Sequence, residues 1–110
     1  MSTTAPELIS RYFAADARRD TDALVALFTD DAVVVDEGQT WRGTSEIRGW
    51  RYGPASAFQY TTEVLKVEAA GGGNYVARVH LEGNFPGGTA DLQFRFTVDG
   101  DRIRRLEIAP

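Results

Sequence analysis

Apolar residues recur at helical spacing through the first half of this chain, and from Phe58 onward they recur at every second position. That change of period, from about 3.6 to 2, puts helices early and strands late. Helices followed by a run of strands do not build βαβ units. The expected class is therefore α+β, with three N-terminal helices packed on one face of a curved, mainly antiparallel sheet. The 110 residues are expected to form one domain, residues 1–110, around one core, with no repeat, linker or low-complexity segment.

Local signals place the elements. Thr4 and Glu7 have capping-box spacing, and Leu8, Ile9, Tyr12, Phe13 and Ala17 then mark one buried helical stripe. Asp20 or Thr21 can cap a second, shorter helix with Leu24, Leu27 and Phe28 on its apolar face. An acidic turn at Asp30-Asp31 leads into Val33-Val34-Val35, a β-branched run suited to a packed interior, which ends on Asp36. Glu37-Gly38 reads as a turn, Gln39 to Arg42 as a returning strand with Trp41, and Ser45 to about Arg51 as a third helix burying Ile47 and Trp50.

Strand alternation then runs through Tyr60 to Ala69, Asn74 to Gly83, and Ala90 to Val98. Gly71-Gly72-Gly73 has no phosphate-loop lysine and reads as a hairpin tip, and Asp99-Gly100 is a two-residue hairpin signal leading into Arg102 to Ile108.

Composition excludes several functions. A net charge of −4 argues against a nucleic-acid surface, which is ordinarily basic. Without cysteine there is no disulfide, thiolate nucleophile or thiolate-ligated metal, and with His80 as the only histidine there is no histidine-rich metal site. No apolar run approaches the length of a membrane span, and Met1 to Pro6 lacks the pattern of a secretory signal, so the cytoplasm is the expected location.

Two helices, Leu27-Phe28-Thr29-Asp30-Asp31-Ala32 before a strand, Trp41-Arg42-Gly43-Thr44 before a third helix, and four long strands together resemble the nuclear transport factor 2-like superfamily, which includes SnoaL-like proteins. The resemblance covers essentially the whole chain. It implies a cone-shaped fold with a pocket between the helices and the concave sheet face, commonly in a homodimer. That fold hosts isomerases, dehydratases, cyclases, epoxide hydrolases and non-catalytic binders, so it does not assign an activity.

Within the superfamily the first third looks most like ketosteroid isomerase. Arg11-Tyr12 matches that enzyme's Arg-Tyr pair, whose tyrosine donates to the substrate oxyanion, and Asp36, 24 residues after Tyr12, matches its general base. Aligning Phe94-Arg95-Phe96 with the corresponding family residues puts Leu92 where a second oxyanion donor, a protonated aspartate, stands. Asp91 is adjacent, but a one-residue offset in a strand turns it to the opposite face. A missing donor can cost on the order of a hundredfold in rate, which argues against steroid isomerisation specifically.

Asp36 is thus either a base at the rim of an apolar interior, with its pKa raised by lost hydration, or a strand-end aspartate bonding its own turn. Tyr12 is either an oxyanion donor or a core tyrosine. Trp41, Trp50, Phe58, Phe85 and Leu92 are the expected substrate-binding residues of an apolar pocket, and His80 is expected on the outer face. Two functions follow. One is an enzyme without metal or other cofactor that moves a proton on a small apolar molecule. The other is a non-catalytic dimeric module that binds a ligand or a protein through the same cavity.

Overall fold

The computed structural model describes residues 4–53 and 59–110, and among these it has three helices and six strands. Helix α1 spans Ala5–Ala17 behind an N-cap at Thr4, whose hydroxyl accepts the Glu7 backbone N–H at 3.3 Å. Helix α2, Thr21–Val25, is capped by Asp20, which accepts from the Ala23 N–H at 3.1 Å. Strands β1 (Phe28–Asp36) and β2 (Gln39–Arg42) form a hairpin that leads into helix α3 (Gly43–Tyr52). Strands β3 (Tyr60–Gly71), β4 (Asn74–Gly83), β5 (Thr89–Asp99) and β6 (Arg102–Ala109) complete the chain.

The six strands lie in one sheet in the order β2-β1-β6-β5-β4-β3. All neighbours are antiparallel except β1 and β6, which run parallel with Val34 opposite Leu106 and Asp36 opposite Ile108. The α+β arrangement and the helix-then-strand order agree with the sequence.

Two local expectations need correcting. Leu27 and Phe28 do not extend α2, which ends at Val25, and Asp30-Asp31 lies inside β1 rather than in a turn before it. The reason is a distant partner. The Ile103 N–H donates to the Leu27 carbonyl at 2.8 Å, and Phe28 pairs with Ile103. The register of β1 against β6 then shifts between Phe28 and Val33, which accommodates the acidic residues as an irregularity in the strand.

The core lies between the helices and one sheet face, where Leu8, Ile9, Leu24, Ile47, Val79 and Leu106 are all buried. Strand alternation supplies the sheet side: Ala77 and Val79 are buried, while Arg78 is exposed on the other face. Two glycines matter to the frame. Glu37 and Gly38 have φ of 52° and 76°, the left-handed pair of a type I′ hairpin turn that reverses the chain directly after Asp36. Gly83, where β4 meets the start of β3, has no room for a side chain: a Cβ there would collide with the Gln59 carbonyl and with Tyr60.

Candidate functional site

A cavity of about 570 Å³ opens between α1, α3 and the inner face of the sheet. This is ample for a ligand of drug size. Tyr12 and Asp16 of α1 and Trp50 and Arg51 of α3 line the helix side, while Leu81, Leu92, Phe94 and Ile108 form the sheet side. Glu37, Gly38, Phe85 and Pro86 come from the two loops beside it.

Asp36 reaches this cavity because β1 ends there and the tight turn carries the backbone away. The Trp50 indole Nε1–H donates to Asp36 Oδ2 at 3.1 Å, and the Glu37 backbone N–H also donates to the carboxylate. Burial pushes the Asp36 pKa above its ordinary value, with the neighbouring Glu37 charge adding to the rise, while the two hydrogen bonds work against it. A partly desolvated carboxylate at the wall of a mostly apolar cavity binds a proton more tightly than one in water, which favours it as a proton acceptor.

Tyr12 lines the same cavity and is also a core residue. Its side chain is 1% exposed, and its ring packs edge-on against Phe13, Phe28, Phe94 and Phe96 with centroids 5.2–6.2 Å away. Burial raises the Tyr12 pKa well above a phenol's usual value. The Asp16 charge adds to this and the Arg51 charge opposes it. The hydroxyl is therefore a protonated donor throughout the physiological range.

Beside Tyr12 lies a polar cluster. Arg51 Nη2 and Asp16 Oδ1 form an ion pair at 2.8 Å with side chains only 6% and 9% exposed, and the Tyr60 hydroxyl donates to Asp16 Oδ1 at 3.2 Å. The Arg51 guanidinium also lies over the Trp50 ring, 5.5 Å from its centroid. Consecutive residues of α3 thus each hold one carboxylate, Trp50 through a neutral donor and Arg51 through a cation. Asp16 and Arg51 were not foreseen as site residues. A signal existed for Asp16, which follows Tyr12 by four positions and so shares its helix face.

The other expected site residues divide. Trp50, Phe85 and Leu92 line the cavity with Asp36 and Tyr12. Trp41 does not. It sits on β2 with its ring 6.2 Å from Trp50 and is not among the residues that line the cavity. Phe58 lies outside the described residues. Leu92 presents an apolar side chain to the cavity, and Asp91 faces outward, where its Oδ1 lies 2.6 Å from His80 Nδ1. His80 is accordingly an outer-face residue, its pKa raised by hydrogen bonds from its ring to Asp91 and then to Glu82. Among the described residues no group of three or more His, Asp or Glu is placed to hold a metal ion, and no helix is long and apolar enough to cross a membrane.

Residues 9–106 match the SnoaL-like domain family. A protein of Sinorhizobium meliloti provisionally described as a polyketide cyclase is 38% identical, with 94% of each chain covered and a TM-score of 0.89. A Catenulispora acidiphila protein with a ketosteroid isomerase-like fold, solved with trimethylamine, is 22% identical over 97% of this chain and 87% of its own, with a TM-score of 0.84. A Mycobacterium tuberculosis protein in complex with estradiol-17β-hemisuccinate is 15% identical over 96% of this chain and 92% of its own, with a TM-score of 0.81. No curated protein sequence matches the chain.

Proposed function

The chain belongs to the SnoaL-like domain family of the nuclear transport factor 2-like superfamily, and we propose that its cavity holds a small apolar molecule on which Asp36 moves a proton. The observation that carries this reading is that Asp36 and Tyr12 line one and the same cavity, whose walls are mostly apolar. Asp36 takes a proton from a carbon next to a carbonyl, and Tyr12 donates to the oxygen on which negative charge develops. Returning the proton to another atom of the same molecule gives isomerisation. Attack by the enolate carbon on an internal electrophile gives cyclisation, and loss of a β-hydroxyl gives dehydration. Each step is balanced by the proton that Asp36 carries and needs no cofactor. The likeness to the Sinorhizobium protein favours cyclisation among the three. The fold shared with a protein that binds a steroid ester is consistent with a flat, apolar ligand.

A second reading is favoured by Leu92. With an apolar side chain where ketosteroid isomerase has its second donor, the cavity is also suited to a dimeric module that binds a ligand or a partner without turning it over. In either case we take the protein to be a homodimer, with the exposed apolar residues of β3 as the candidate contact.

Hydrogen–deuterium exchange at the α-carbon of 2-tetralone, a flat enolisable ketone, separates the two readings. Proton transfer predicts exchange faster than buffer, a fall of at least about a hundredfold in Asp36→Asn, and about tenfold or more in Tyr12→Phe, with binding retained by quenching of tryptophan fluorescence. Binding without exchange in the unsubstituted protein leaves the non-catalytic reading standing.

A further inference from the structure

A second chamber of about 210 Å³ lies against the first, and Asp16, Arg51 and Tyr60 line both. Arg19 and Thr62 line only the smaller one, and Asp36 only the larger. The charges of the two spaces differ. Among the described residues, the main cavity is lined by the carboxyls of Asp16, Asp36 and Glu37 and by one guanidinium, Arg51. Among the described residues, the side chamber is lined by the guanidiniums of Arg19 and Arg51 and by the carboxyl of Asp16. An anion is therefore disfavoured beside Asp36 and favoured where Arg19 adjoins the Asp16–Arg51–Tyr60 cluster.

Arg19 is also held where arginine is an uncommon choice. It follows the C-cap of α1 with φ of 53°, and the end of the helix is closed by Asp20 N–H to the Ala15 carbonyl and Arg19 N–H to the Asp16 carbonyl, both 3.0 Å. That is the Schellman arrangement, whose left-handed position is ordinarily glycine. A side chain kept at such a position against its backbone preference points to a use for the side chain. Here it brings the guanidinium over the Tyr60 ring, 5.8 Å from the centroid, at the wall of the side chamber.

We propose that the side chamber receives the carboxylate of an amphipathic ligand whose apolar body fills the main cavity, with Arg19 and Arg51 as its recognition residues. This rests on the small-molecule pocket reading above and adds the ligand's class and orientation. The acid group lies at the Arg19–Arg51 end, and the apolar part extends toward Asp36.

Decanoate and decanol, which share a ten-carbon body and differ in the anionic group, provide the test by tryptophan fluorescence and calorimetry at pH 8 in low salt. Decanoate is expected to bind at least tenfold tighter than decanol, the preference shrinking as salt is added. Arg19→Gly, which suits the left-handed backbone, should remove most of the preference by weakening decanoate binding far more than decanol binding. Arg19→Lys, which keeps the charge, should retain part of it. Equal binding of the two ligands, or a preference that survives Arg19→Gly, overturns the inference while leaving the pocket reading intact. Failure of both ligands to bind overturns the pocket reading and this inference with it.

Discussion

At the scale of single residues, Asp36 carries opposed demands. Folding places its carboxylate at the wall of an apolar cavity, which disfavours the charge, and its two hydrogen bonds do not fully offset that cost. A carboxyl whose pKa is raised by folding contributes its stability in full only below its unfolded value, near 3.8, and that contribution is lost as pH rises through the folded value. Above the folded value the native protein therefore holds an ionised group that a neutral isostere would relieve. Asp36→Asn keeps one acceptor oxygen for the Trp50 N–H and removes the partly buried charge, so thermal melts should place its Tm above that of the unsubstituted protein at pH 7, on the order of a few degrees. The difference should close as the pH approaches 3.8. A variant that is more stable yet inactive in ketone exchange marks a residue kept for chemistry. A variant less stable at pH 7 returns Asp36 to the role of a turn aspartate.

At the scale of elements, α3 connects the two polar ends of the cavity, because its adjacent residues Trp50 and Arg51 hold Asp36 on β1 and Asp16 on α1. Removing one partner of a buried ion pair strands the other charge, so Asp16→Ala should destabilise the protein by about 3–5 kcal/mol in urea denaturation. Replacing both partners with apolar residues, Asp16→Leu with Arg51→Met, should cost much less than that single change. If the double variant is as unstable as Asp16→Ala, the pair is a structural clamp rather than part of a binding surface. The element boundaries were legible wherever a local signal decided them: the Thr4 cap, the Glu37-Gly38 turn and the Asn74–Gly83 strand all stand where the residues put them. Phe28 misled because Leu24, Leu27 and Phe28 have helical spacing, and only Ile103, far along the chain, draws Phe28 into a strand. That Asp36 and Tyr12 line one cavity is an expectation a family resemblance supplies. Arg51 could not be foreseen, because nothing near it in sequence indicates that Asp16 and Tyr60 will surround it.

At the scale of the whole molecule, the open sheet leaves β2 and β3 as its edges, and they are not alike. Strand β2 is short, whereas β3 runs for 12 residues and exposes Val64, Leu65 and Val67 at 39%, 57% and 40%. Long edge strands with apolar side chains are association surfaces unless they are covered, and a second copy meeting the first about a two-fold axis covers both strands equally. The register of β3 against β4 shifts between Val64 and Lys66, leaving Leu65 between them as the residue without an opposite partner on β4. Leu65→Glu should therefore do little to the folded chain while placing a charge in the proposed contact. Sedimentation velocity at about 10 μM should give a dimer for the unsubstituted protein and a monomer for the variant. A monomer for both would end the proposal that β3 is the contact. The result also bears on the cavity, since Tyr60 at the start of the same strand donates to Asp16. If a partner steadies β3, the Asp16–Arg51–Tyr60 cluster is steadied with it, and dilution to the monomer should weaken decanoate binding more than decanol binding.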